Sequence, residues 1–150
     1  MRTGTSFARD WQLIKVARSL RRHDVAGPLV RGLLRDASPD LVEQVGAIAG
    51  RLGAEDGTAL LACNEEQFDP PTLMEGLLLR WGIPCEPGEA ADGGTTITIG
   101  GDGSAVCETF ADVRVAGPYL AGYARALQHD AVLKPGAGGR MTIWFPPRGE

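Results

Sequence analysis

The apolar residues of this chain change their period near Gly82, and that change limits the fold more than any other feature. Before it they recur every three or four positions, as one face of a helix requires; after it they alternate, as a half-buried strand requires. A doubly wound sheet would interleave the two patterns. Helices first and strands later instead predict an α+β fold, with a helical N-terminal half packed on a small, mostly antiparallel C-terminal sheet.

The helical half divides at its caps. Ser6 to His23 reads as an amphipathic helix with Phe7, Trp11, Ile14 and Ala17 on one face and Leu13 and Leu20 widening it. Gly27-Pro28 breaks it, and a short helix carrying Leu29, Leu33 and Leu34 restarts at Pro28. Ser38 and Pro39 open the next helix, on which Leu41, Val45, Ile48 and Leu52 form one apolar stripe and whose stop should be Gly53. Ala59 to Phe68 has no firm period and leans helical. Asp69 caps a further helix, opened by Pro70 and Pro71 and ended by Gly82, that turns Met74, Leu77, Leu78 and Trp81 inward.

In the second half, Glu86 to Gly94 reads as a polar loop. Thr95 to Ile99 is β-branched and alternating, hence a strand. Gly100 to Gly103 reads as a tight turn and Ser104 to Phe110 as the partner strand of a hairpin. Ala116 to Leu127 is a helix of small residues. Val132 and Leu133 begin a strand, Pro135 to Gly139 turns it, and Met141 to Phe145 closes the sheet.

Composition sets the outer bounds. A chain of 150 residues, 43% of them apolar, fits one domain over 1–150 with a core of its own. The net charge of −4 argues against nucleic acid as a partner, and Arg18, Arg21, Arg22, Arg31 and Arg35 read as a solvated helix face. No apolar run approaches the roughly 18 residues of a membrane span. Cys63, Cys85 and Cys107 stand far apart with no C-x-x-C, and the N-terminus lacks a secretory apolar core, so a reducing cytoplasm is expected. His23 and His129 have no metal-ligand spacing, and GGDGSA is not a phosphate loop, so neither metal nor cofactor is called for.

Two constellations carry chemistry. Cys107 and His129 are the candidate nucleophile and base, since a thiol needs such a neighbour to become thiolate; Glu108, Asp112 or Asp130 would orient the imidazole. Read without function, Cys107 is a core thiol. Tyr119 and Tyr123, four apart on one helix, would line a pocket with Trp81 and Trp144, and the planar fork of Arg114 suits a carboxylate. Read without function, these aromatics are ordinary packing.

The last third also carries a resemblance. SAVCETF, then VRVAGPYLAGYARAL, then a strand from Asp130 and GAGGRMTIWF, resembles the 4-vinyl reductase domain and the aminothiazoline-carboxylate hydrolase-like family. Gly117, Leu120, Ala121 and Gly122 match the small-residue helix of that pattern, and Gly139 to Phe145 matches its closing strand. Arg114, Lys134 and Met141 stand in neighbourhoods where such domains carry cysteines. The resemblance implies a small-molecule-binding α+β domain that forms a homodimer. The expected activity is hydrolysis or ring opening of a heterocyclic or aromatic metabolite, or else non-catalytic ligand sensing.

Overall fold

The computed structural model describes residues 26–100 and 104–147. Its order is α1 (Ala26–Arg35), α2 (Pro39–Ala62), α3 (Pro70–Arg80), β1 (Cys85–Glu89), β2 (Thr95–Ile99), α4 (Ser104–Phe110), α5 (Val113–Leu127), β3 (Val132–Pro135) and β4 (Met141–Phe145), with a 3-10 turn at Ala137–Gly139 before the last strand. The fold is α+β, with the helices concentrated in the N-terminal half and a four-stranded antiparallel sheet toward the C-terminus. The helix expected at Ser6 to His23 lies outside the described residues, as do residues 101–103 of the turn expected at Gly100 to Gly103.

The caps read from sequence are in place. The Ser38 hydroxyl accepts from the Leu41 amide at 3.3 Å, and Pro39 sits in the first turn, where its missing N–H leaves no bond unmade. A carboxylate oxygen of Asp69 accepts from the Thr72 amide at 2.9 Å at the head of α3. Gly82, at φ 69°, follows that helix in the left-handed conformation glycine adopts at low cost.

The expected stop at Gly53 does not occur, and the reason is tertiary. Gly46, Gly50, Gly53 and Gly57 recur at intervals of four, three and four, and so share one face of α2. That face lies against α5. A Cβ at Gly53 would fall 2.0 Å from the carbonyl oxygen of Tyr119, and one at Gly122 would fall 2.0 Å from that of Gly50. Backbones this close exclude any side chain, so α2 continues through Gly53 and Gly57 to Ala62, taking in the start of the ambiguous stretch. The apolar stripe of α2 therefore points away from α5: Leu41, Ile48 and Leu52 are 39%, 48% and 48% exposed.

The sheet order is β1-β2-β4-β3, every pair antiparallel, with Ile97 between Pro87 and Ile143. Here two further expectations are corrected. Glu86 to Gly94 is not a loop: Cys85–Glu89 pairs with β2 through a turn in which the Ala90 amide donates to Gly94 and Gly93 takes φ 82°. Its polar, proline-containing sequence is tolerated because β1 is an edge strand with one free side. Ser104–Phe110 is not a strand but the helix α4. Val106 and Phe110, four apart, share its inner face, and β2 already has a neighbour on both sides.

One layer of helices covers one face of the sheet. Ile97, Ile99, Met141, Ile143 and Phe145 are buried beneath Leu120, Tyr123, Ala124 and Leu127 of α5 and Met74 and Leu78 of α3. Thr96, Thr98, Thr142 and Trp144 alternate onto the other, half-exposed face. Among the described residues no helix is long and apolar enough to cross a membrane.

Candidate functional site

Four aromatic rings converge where α3, α4 and α5 meet. Trp81 caps the end of α3, Phe110 ends α4, and Tyr119 and Tyr123 project from successive turns of α5. The Trp81 and Phe110 centroids lie 5.2 Å apart, edge to face; Trp81 and Tyr119 are 5.7 Å apart, Phe110 and Tyr119 5.2 Å, and Tyr119 stacks near Tyr123 at 6.2 Å. Such pairs contribute roughly 0.5–1.5 kcal/mol beyond their buried area.

The phenols are held protonated. Tyr119 donates to Asp56 on α2 at 2.5 Å, and burial, with Asp56 adding to it, moves its pKa well above the usual phenol range. Burial, helped by the Asp56 charge, pushes Tyr123 up to about 12. Both effects disfavour a negative phenolate. The pair is therefore a neutral wall at physiological pH.

The rings fill the space between themselves, and the opening lies beside them. Between α2 and α3 runs an open cleft of about 410 Å³ with Tyr123 at its inner end. Leu60, Phe68, Leu73 and Leu77 form its apolar sides, and Arg80 stands on its border, with no ion pair among the described residues. Gly76 leaves room on the α3 side: a Cβ there would meet nothing within 4 Å. A second hollow, about 380 Å³, lies where the Gly117 to Ala121 stretch of α5 passes over β3 and β4, bordered by Arg114 and Arg140.

Of the residues singled out in sequence, Trp81, Tyr119 and Tyr123 are brought together and Trp144 is not. Trp144 stands on the opposite face of the sheet, beside Asp92, whose carboxylate it approaches at 3.4 Å. Asp92 is held below the usual carboxylate range, chiefly by the Gly94 amide at 3.0 Å.

Arg114 is committed within the fold. Its Nε and one terminal nitrogen bond both oxygens of Asp112 at 2.9 and 2.8 Å, and its other terminal nitrogen donates to the Leu34 carbonyl at 2.8 Å. Asp112 also caps α5 through the Arg114 amide, and the Arg114 side chain, foremost, keeps its carboxyl below the usual range.

Cys107 is half-buried on α4, before α5 begins. His129 follows the end of α5, its side chain 98% exposed, with Nδ1 3.0 Å from Asp130. The fifteen residues of α5, about 22 Å of helix, lie between them in the chain. Among the described residues no group of His, Cys, Asp and Glu is arranged to hold a metal ion.

Sequence reasoning did not find Asp56, Phe110, Gly76 or Arg80. Phe110 was hidden by reading α4 as a strand, and Asp56 by ending α2 at Gly53. No local pattern marks Gly76 or Arg80; their position depends on α3 meeting α2. Compared with protein-family models, curated proteins and solved structures, the chain finds no match.

Proposed function

We propose that this chain is a non-catalytic binding module for a small apolar molecule carrying one anionic group, seated in the cleft between α2 and α3. The observation that carries this reading is the cleft itself: about 410 Å³, apolar on its sides, closed inward by a neutral phenol and bordered by an arginine with no ion pair among the described residues. Mostly apolar concavities with a few polar groups are the usual small-molecule sites. The guanidinium fork selects a carboxylate or a similar planar anion. This is the sensing alternative that the C-terminal resemblance implies.

Binding is favoured over hydrolysis by the placement of the reactive groups. A general base works within hydrogen-bond reach of its nucleophile. The bond recorded for the His129 ring goes to Asp130, and Cys107 belongs to another element.

Thermal shift against a panel of aliphatic and aromatic carboxylates tests the proposal, with each matching alcohol or amide as the uncharged control. A ligand at a hundred times its Kd stabilises by about 2.7 kcal/mol. Two variants separate binding from folding. Gly76→Leu fills the cleft and raises helix propensity by up to about 1 kcal/mol, so it should melt no lower than the parent yet lose the ligand shift. Arg80→Ala should weaken carboxylates by about tenfold or more and leave the uncharged analogues unchanged. Undiminished ligand shifts in Gly76→Leu would remove the cleft from consideration.

A further inference from the structure

The face of α2 opposite its glycines is an apolar stripe that no described element covers. Leu41, Val45, Ile48 and Leu52 follow one another at intervals of four, three and four, the seam spacing of paired helices. Three of them are 39–48% exposed on a helix whose other face is pressed against α5. A row of this kind is the side that a second helix covers.

We infer that the stripe is the docking surface for the chain's own residues Ser6 to His23, which precede the described structure and enter it at Ala26. Three features favour this occupant. The first is pattern. Phe7, Trp11 and Ile14 repeat the four-three spacing over two turns, and the row continues in the basic Arg18 and Arg21. The second is length. Phe7 to Ile14 covers about 10 Å as a helix and fits within the about 16 Å from Leu41 to Leu52. Reach is sufficient, because the ten residues of α1 carry the chain only about 15 Å from the start of α2. The third is charge. Residues 1–25 hold six basic side chains (Arg2, Arg9, Lys15, Arg18, Arg21 and Arg22) and two acidic ones, Asp10 and Asp24, a net +4. The whole chain is −4, so the remainder carries −8. On α2 itself Asp40, Glu43, Glu55 and Asp56 are acidic against a single basic residue, Arg51. A basic amphipathic segment and an acidic helix with a bare apolar row are complementary in both respects.

Hydrogen exchange of the full-length chain, read by mass spectrometry, tests this. Peptides within residues 7–20 should exchange at least about tenfold more slowly than an unstructured reference. In the double variant Ile48→Asp, Leu52→Asp that protection should vanish while β2 and β4 keep theirs, because both substituted side chains are exposed and outside the core. A segment unprotected in the parent, or equally protected in the variant, overturns the inference. Light scattering after size exclusion, across about a hundredfold dilution, separates a second copy of the chain from the intrachain segment. A monomer that keeps its protection on dilution supports the inference. A dimer that loses protection as it dissociates assigns the stripe to a second copy and overturns it.

Discussion

Tyr119 and Tyr123 show how position changes an ordinary residue. They are the only tyrosines of the chain, and both are held neutral by burial and by the Asp56 charge. A native-state absorbance titration should therefore show little phenolate at pH 10.5, whereas the chain in denaturant titrates near the ordinary phenol value of about 10. The sign of the linked stability follows. Each pKa is raised by folding, so the contribution is complete below about pH 10 and is lost as pH rises through the folded values. Unfolding free energy should fall from about pH 10 upward, the Tyr123 share between about 10 and about 12, as followed by denaturant midpoints. Native phenolate appearing at the ordinary value would contradict the burial of both rings.

At the scale of elements, the pairing of α2 with α5 decides most of the architecture. The contact depends on glycines that allow carbonyl oxygens to sit where a Cβ would otherwise be. Gly53→Ala and Gly122→Ala should each force the two backbones apart. Helix propensity alone would favour alanine by about 0.5–1 kcal/mol, but overpacking costs typically about 1–3 kcal/mol and occasionally more. The net effect should be destabilising, seen as a lower urea midpoint with an unchanged slope. A neutral or stabilising result at both sites would mean that the helices do not approach through this face. Gly76, mid-helix but open to space, is the control: Gly76→Ala should stabilise by about 0.5–1 kcal/mol.

At the scale of the whole molecule, the sheet, α3 and α5 share one core, and α1 joins it at few points. Leu34 is buried, and its carbonyl accepts from Arg114, whose guanidinium Asp112 holds in place. Asp112→Asn removes the charge partner while keeping the size and an oxygen for the cap. Amides of α1 should then exchange faster, while those of β2 and β4 remain as protected as before. Equal acceleration everywhere would show that this contact belongs to the global core. The carboxyl is depressed in the fold, so the same loosening should appear as pH falls through and below the ordinary carboxylate value.

The sequence by itself determined the α+β class, the caps at Ser38 and Asp69, the stop at Gly82 and the strands Thr95–Ile99 and Met141–Phe145. Each rests on interactions within a few residues: a side chain reaching an amide three positions on, a glycine adopting a positive φ, a β-branched run that alternates. It also brought Trp81, Tyr119, Tyr123 and Trp144 forward as a group, of which the structure brings together the first three. Only tertiary structure decided which face of α2 is inward, because a glycine row looks like a weakness along one helix and becomes an interface only opposite another. The same applies to β1, which has little strand propensity and pairs because β2 offers it an edge, and to α4, whose seven residues fit either period until packing of Val106 and Phe110 against the core selects the helix. The cleft beside Tyr123 is the plainest case. Its sides come from two helices and its inner end from a third, and no segment of the chain contains it.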